Sequence, residues 1–367
     1  LLKVLADKNL FKLSEFLPSQ VDLVKYDPNQ GPLDLTGFDA LLIRSVTKIR
    51  KEFINGLPSS LKFIGTGSSG SDHVDKELLK KRDIHFADAK GSNANVVAEY
   101  VVTSLIALSK KNKDILKASI GIIGVGAVGT KVYELLDKLG HDTVLFDPPR
   151  ETRDPNFKSS SIDEVLECDV LTFHIPLENE GDHPTFHWLD SSKLDNQRFL
   201  AVINAARGGV IDEQVVLEAK TDGRIDHLII DVWENEPDIN TEFTQHCDIA
   251  SPHIAGSSIQ SKLNASRMLA EQLCSYFELD TPIIKNSPKE ILSISTKNSN
   301  EVDLITNIYP LLKYDSELRS ILTSNDKNRL FAKLRTDFPY RNEYPYLRIP
   351  DINLDKFPVL KKLGITN

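Results

Sequence analysis

The sequence predicts an α/β protein with two doubly wound parallel-sheet domains and a small α+β C-terminal domain. Three observations carry this. Short apolar runs alternate with helical patterns in two successive series, over residues 1–92 and again up to about 256, as in parallel sheets flanked by helices. A glycine-rich turn, GVGAVG at 124–129, follows an apolar run and opens a helix. After about residue 284 the alternation ends and Ser, Asn, Lys and Pro become more frequent.

In the first series, LKVLA, VDLVKY, ALLIRS, LKFIGTG and IHFAD read as strands and DKELLKKRD as a helix between them. A long helix then starts at Ser92 or Asn93, either a good N-cap, and runs through NVVAEYVVTSLIALSKK. Apolar residues nearly surround it, so burial between domains is expected. In the second series SIGIIG, TVLFD, DVLTFHIP, AVINAA, DHLIIDVW and DIASPH are strand-like, with TKVYELLDKLG and DEQVVLEAKTDG as helices. Residues 257–279 read as one long helix leading away from that sheet. In the tail, the amphipathic VDLITNIYPLLK and the aromatic FPYRNEYPYLR need burial, which predicts a folded domain over 284–367 rather than disorder.

A chain of 367 residues suits two or three domains. Its net charge of −9 excludes a general basic surface, so neither nucleic acid nor an anionic membrane is an expected partner. An anionic small molecule would need its own local Arg, Lys or helix N-terminus. The three cysteines, Cys168, Cys247 and Cys274, are far apart and odd in number, which argues for reduced thiols and against a disulfide scaffold or a zinc site. LLKVLADKNLF lacks the apolar stretch of a signal peptide, and no apolar run is long enough to span a bilayer. A cytoplasmic location is expected. The chain opens at Leu1 rather than Met, so preceding residues are also expected.

Within GVGAVG each glycine has a mechanical task. Gly124 permits the tight turn, Gly126 lets the backbone approach a pyrophosphate, and Gly129 lets the helix pack close to the strand. Ala127 and Val128 complete the turn, and the helix start offers free N–H groups to phosphates. An acid is expected about 20 residues on, at the end of the next strand, and Asp147 in VLFDPPR meets that expectation. A carboxylate there binds both ribose hydroxyls and repels a 2′-phosphate, so NAD is the expected cofactor and Arg150 is placed on its flank.

Three further segments end predicted strands. INAARGGVID carries Arg207, IIDVWENEP carries Asp231 and Glu236, and SPHIAG carries His253. Ligands of open parallel sheets bind outside the carboxyl ends of the strands, so these residues are expected to share one crevice. Their types suit hydride transfer at a 2-hydroxy acid. An Arg holds a carboxylate bidentately, a His accepts the hydroxyl proton, and an acid beside the His fixes its ring. A lone loop histidine would be unremarkable. Joined to a dinucleotide cradle, His253 becomes the candidate base.

Over roughly its first three-quarters the chain resembles the D-isomer-specific 2-hydroxyacid dehydrogenases, through GVGAVG, NAARGGVID, DVWENEP and SPHIAG. The resemblance implies two Rossmann/flavodoxin-like domains, with Arg207, Glu236 and His253 catalytic. It implies NAD contacts from Asp147, Ile175, Ala205, Ala206, Arg207, Asp231 and Gly256 as well as from the glycine turn. It further implies that a nucleotide domain, 94–256, is inserted into a substrate domain made of 1–93 and 257–283.

A narrower likeness lies in ALLIRSVTKI, FIGTGSSGSDHVD, VLFDPPR, DVLTFHIPL and the tail FAKLRTDFPYRNEYPYL. It implies oxidation of a phosphorylated hydroxy acid, 4-phospho-D-erythronate, in pyridoxal 5′-phosphate biosynthesis, and a homodimer formed through the tail. Ser45, Ser68 and Ser257 are the expected substrate contacts, with Arg44 and Lys48 adding positive charge. Ser257 stands where that group of enzymes carries a substrate-contacting Tyr. Arg335 or Arg341 of the tail is expected to share the phosphate. His73 is read as structural, with no metal implied. The alternatives are a 3-phosphoglycerate or other D-2-hydroxyacid dehydrogenase, and an NAD-sensing corepressor-like binding protein.

Overall fold

A computed structural model of the chain describes residues 1–282, 289–294 and 299–367. The contacts divide the chain into two compact units, residues 1–93 with 258–288, and residues 94–257 with 289–367. The expected boundary at 283/284 falls outside the described residues.

The first unit is built on β1 (Leu2–Asp7), β2 (Val21–Tyr26), β3 (Ala40–Ile43), β4 (Phe63–Thr66) and β5 (His85–Asp88). They pair in the order β2-β1-β3-β4-β5, all parallel, which is the flavodoxin-like order. β3 and β4 are buried along their whole length, as unbroken apolar runs must be when both faces of a parallel sheet are covered. The helix Ile259–Tyr276 covers one face, with Leu269, Ala270 and Leu273 packed against Val4, Leu42 and Phe63. Reciprocal hydrogen bonds between Ser258 and Ser261 close its first turn, an N-terminal box built from two serines.

The second unit carries β6 (Ile120–Ile123), β7 (Thr143–Phe146), β8 (Val170–Phe173), β9 (Phe199–Asn204), β10 (Ile225–Ile230) and β11 (Ile249–Ala250). The order is β11-β10-β9-β8-β6-β7, again parallel throughout. The chain leaves β6 toward β7 on one side and returns to β8 on the other. That reversal opens a crevice at the carboxyl ends of β6 and β8, where doubly wound sheets bind their ligands.

The helix Ala94–Leu108 is buried at every residue except Asn95. The sequence reading places it between domains. Within the second unit it packs on the helix Ala127–Leu139 and on the C-terminal residues, with Leu304, Ile305, Tyr309, Leu311 and Tyr344 in the same core. Each such aliphatic side chain contributes about 1.5–3 kcal/mol of burial free energy.

The composition suggests a separate domain for the C-terminal residues, 284–367. Residues 289–367 share one compact unit with 94–257. They form the helices Glu301–Ile308, Leu311–Ile321, Lys327–Thr336 and Pro358–Lys362, and a two-stranded pair, β12 (Glu290–Ile291) with β13 (Leu347–Arg348). Polar ties fix them to the sheet. Asp315 accepts the Ala250 N–H of the edge strand β11 at 2.8 Å, a donor that an uncovered edge leaves unpaired. Arg319 pairs with Asp315 and donates to the carbonyls of Thr244 and Cys247.

Candidate active site

The motifs from GVGAVG to SPHIAG each lie at the carboxyl end of a strand in the second sheet. After β6, Gly124 takes a φ of 88°, open to glycine without strain. A Cβ on Gly129 would lie 1.9 Å from the Gly124 carbonyl oxygen, so glycine is required for the helix to start this close to the strand. A Cβ on Gly126 would meet nothing within 4 Å. Packing does not demand glycine there, and its bare backbone faces open space. Asp147, after β7, accepts the Val125 N–H at 2.8 Å and the Arg150 N–H at 2.9 Å, one on each carboxylate oxygen. Arg150 turns back to donate to the Val125 carbonyl at 2.7 Å, pairs with Asp154, and stacks on Phe157. Its charge is thus spent on bracing the glycine turn. His174 and Ile175, after β8, close the other side of Gly124. Among the described residues the His174 Nδ1 is buried without a hydrogen-bond partner, and burial pushes its imidazole down to about 3, although part of the residue reaches the surface.

After β9, Asn204 organises the turn that carries Ala205, Ala206 and Arg207. Its amide accepts the Ala206 N–H and donates to the Arg207 carbonyl. The Arg207 Nη1 donates to the Ala206 carbonyl at 2.7 Å. The next residue, Gly208, lies so close to the loop after β10 that a Cβ would stand 1.9 Å from the Trp233 carbonyl oxygen. This contact holds the Arg207 turn against the turn that carries Glu236.

Glu236 and His253 form a pair. The Glu236 Oε1 accepts the Trp233 N–H at 3.0 Å, and Oε2 lies 2.8 Å from the His253 Nδ1. Burial alone would raise the Glu236 carboxyl. The hydrogen bond and charge of His253, the Trp233 N–H and Arg335 outweigh it and hold the carboxyl below its usual range. An ionised carboxylate only accepts, so the His253 Nδ1 carries hydrogen and Nε2 is left as the basic nitrogen. Among the described residues Nε2 has no partner, and the side chain is 28% exposed.

Asp231 sets this geometry from beneath. It is buried and accepts from the Ser251 hydroxyl at 2.6 Å and from the N–H groups of Ile254 and Ala255. Its own carbonyl accepts the His253 N–H at 2.8 Å. These bonds keep His253 at a φ of 57°, a left-handed conformation that disfavours side chains and persists only where the surroundings impose it. Burial pushes the Asp231 carboxyl up, against the pull of His253, Ser251 and the two N–H groups. The Tyr100 hydroxyl completes the chain at 2.7 Å from Ser251. Ser251 opens the SPHIAG segment, but Tyr100 belongs to no motif, and 151 residues separate the two.

Gly256 and Ser257 follow on the same turn, the Ser257 N–H donating to Ile254. Ser45 and Ser68 belong to the first unit, where they follow β3 and β4 at the carboxyl edge of that sheet. His73 bonds the Thr66 hydroxyl at 2.9 Å, and no metal-binding cluster exists among the described residues. Of the two tail arginines expected at the phosphate, Arg341 is buried 2.6 Å from Glu99 and stacked on Tyr309. It serves as a tie between the C-terminal residues and the helix Ala94–Leu108. Arg335 lies 3.8 Å from Glu236.

The family model for the NAD-binding domain of D-isomer-specific 2-hydroxyacid dehydrogenases matches residues 93–255. The erythronate-4-phosphate dehydrogenase of Pseudoalteromonas translucida is 34% identical, the match covering 100% of this chain and 99% of that one. The same-named enzyme of Bacteroides thetaiotaomicron is 36% identical, covering 93% and 97%. The chain belongs to the D-isomer-specific 2-hydroxyacid dehydrogenase family. Solved structures of this fold include D-lactate dehydrogenase from Aquifex aeolicus with NAD and lactic acid. It is 20% identical, with a TM-score of 0.60 over 75% of this chain and 95% of that one. NAD-bound 3-phosphoglycerate dehydrogenase of Entamoeba histolytica gives 23% identity and a TM-score of 0.61 over 76% and 95%.

As a 2-hydroxyacid dehydrogenase this protein is an NAD-dependent oxidoreductase, and its residues fit that cofactor. The unfilled space at Gly126, beside the amino end of the 13-residue helix Ala127–Leu139, suits a pyrophosphate. Asp147 stands at the end of the neighbouring strand β7, each carboxylate oxygen retaining acceptor capacity for ribose hydroxyls.

Proposed function

We propose that this dehydrogenase oxidises C2 of 4-phospho-D-erythronate, giving 2-oxo-3-hydroxy-4-phosphobutanoate, a step of pyridoxal 5′-phosphate biosynthesis. The observation that carries the chemistry is the Glu236–His253 pair at 2.8 Å, with its basic nitrogen unpartnered among the described residues. The substrate assignment is supported by the end-to-end similarity to enzymes that bear this substrate in their names.

NAD, when bound, supplies the hydride acceptor. The chain's own residues do the rest. His253 takes the C2 hydroxyl proton at Nε2, and the Glu236 carboxylate stabilises the imidazolium that results. The Arg207 guanidinium pairs with the substrate carboxylate and orients C2. Asp231 and Tyr100 act through Ser251 and the backbone to hold His253 in place. Asp147, Ile175, Ala205, Ala206, Asp231 and Gly256 belong to the cofactor side of this reading. Ser45, Ser68 and Ser257 belong to the substrate side, where the smaller Ser257 replaces an expected Tyr. Residues 1–93 with 257–283 act as the substrate domain and 94–256 as the nucleotide domain, the C-terminal residues form a homodimer, and the enzyme works in the cytoplasm.

The test is NADH formation by purified protein with 4-phospho-D-erythronate and with 3-phosphoglycerate, under a carbonyl trap. Strong preference for phosphoerythronate is expected. Preference for 3-phosphoglycerate or another hydroxy acid would overturn the substrate while keeping the chemistry. NAD binding without turnover of any hydroxy acid would leave a nucleotide-sensing binding protein.

A further inference from the structure

We propose that Arg335, supplied by the C-terminal residues, is a positioning residue of the acid–base pair, acting on His253 through Glu236. The inference rests on the reading of Glu236 and His253 as that pair, and not on the identity of the substrate.

The helix that carries Arg335, Lys327–Thr336, is seated on the segment that follows Glu236. The Lys327 ammonium donates to the Ile239 carbonyl at 2.7 Å and lies 3.2 Å from Asp238. Phe331 is buried in the core that holds Trp233, Ile239 and Phe243, and Leu330 and Leu334 pack on it. Two turns beyond Lys327, the Arg335 Nη1 reaches 3.8 Å from the Glu236 Oε2, the same oxygen that the His253 Nδ1 approaches at 2.8 Å. Among the described residues that is its one partner. The side chain is 44% exposed. A long exposed arginine with no structural bond of its own, held beside a half-buried carboxylate by a helix anchored through Phe331, has an electrostatic task.

The surroundings explain why such a cation is needed. Glu213, Glu234 and Asp231 stand near the pair, on the helix Glu213–Thr221, on the Glu236 turn and just after β10. Burial, with Glu234 and Glu236 adding repulsion, pushes Glu213 up to about 7. His187 bonds Glu234 at 2.9 Å and faces Asp212 at 3.2 Å, so it is already engaged. Arg207 belongs to the neighbouring turn and holds the Ala206 carbonyl. Arg335 adds its charge to the larger hold of His253 and the Trp233 N–H in keeping Glu236 ionised, and an ionised Glu236 keeps hydrogen on the His253 Nδ1 and leaves Nε2 free for the substrate proton. The D-lactate and 3-phosphoglycerate dehydrogenase structures cover 75% and 76% of this chain while being themselves 95% covered. About a quarter of this chain thus lies outside the shared fold, roughly the size of the C-terminal segment 289–367.

Arg335→Met and Arg335→Lys provide the test. In the substrate-free protein, the Glu236 carboxyl followed by carbon NMR, assigned with Glu236→Gln, is expected to titrate about 0.5–1 pH unit higher in Arg335→Met, since removing a cation favours the neutral acid. Arg335→Lys should restore most of the shift. With whichever hydroxy acid turns over best, the acid limb of kcat/KM should move up with it while KM stays within about twofold. An unmoved Glu236 titration in Arg335→Met would overturn the proposal. So would a raised KM for phosphorylated substrates with an unmoved acid limb, which would make Arg335 a substrate anchor. Because the titration needs no substrate, a wrong substrate assignment leaves this test intact.

Discussion

Two single-methyl substitutions in one turn separate cofactor binding from packing. In Gly129→Ala, the new Cβ stands 1.9 Å from the Gly124 carbonyl oxygen and 2.9 Å from its carbon, where contacts below 3.0 Å force a shift. Both sides are backbone, so no side chain can swing aside, and the start of the helix Ala127–Leu139 has to retreat by about 1.1 Å. Overpacking of this kind costs about 1–3 kcal/mol, and the absence of a soft neighbour puts it near about 3 kcal/mol. For a unit of this size that lowers Tm by about 6–12 °C. In Gly126→Ala the Cβ meets nothing within 4 Å. Its only structural cost is alanine at the helix N-cap, about 1 kcal/mol or less, so Tm should fall by no more than about 4 °C. The methyl does occupy the space in which a pyrophosphate approaches the backbone. NAD affinity should therefore fall at least about tenfold, or about 1.4 kcal/mol. Differential scanning fluorimetry and calorimetric titration with NAD measure both quantities on both variants. Wild-type NAD affinity in Gly126→Ala would refute the cradle, and a wild-type Tm in Gly129→Ala would refute the close packing.

His253→Asn should lower kcat by about 10²–10⁴ with NAD affinity nearly unchanged, and near-normal turnover would remove His253 from the chemistry. Glu99→Gln strands Arg341 as a buried charge and should cost about 3–5 kcal/mol at pH 8 by urea melts, whereas the double variant Glu99→Gln/Arg341→Met should recover part of the loss. Burial raises the Glu99 carboxyl to about 7, with Arg341 pulling the other way; the folded protein therefore takes up this proton before the unfolded chain does, and wild type should gain stability relative to Glu99→Gln as pH falls from about 7 toward the ordinary carboxylate range. His174 stays neutral in the folded protein while the unfolded chain takes up its proton below its ordinary value near 6.5. Stability should accordingly fall by about 1–2 kcal/mol between pH 7 and 5, the lower figure allowing for its partial exposure. His174→Asn should flatten that slope, and an unchanged slope would show that the imidazole titrates normally.

The sequence by itself determined what depends on short-range pattern. Two series of apolar runs specify two parallel sheets, because strands covered on both faces lack the polar alternation of exposed ones. GVGAVG specifies its turn, because the φ of Gly124 and the close approach at Gly129 are local requirements of the backbone. Placing Arg207, Glu236 and His253 after successive strands put them on one edge, since parallel strands all end on the same side. Only the tertiary structure decided which long-range partners these residues take. Nothing in the spacing tells Arg341, buried against Glu99, from Arg335, standing at Glu236, since both lie in the same aromatic, basic stretch. Nor does it show that the C-terminal helices pack onto the second unit, or that Tyr100 steadies the histidine turn through Ser251. Helix and strand periodicities are written within a few residues. The pairing of groups a hundred or more residues apart is settled by which buried surfaces and buried charges satisfy one another once the sheets have formed.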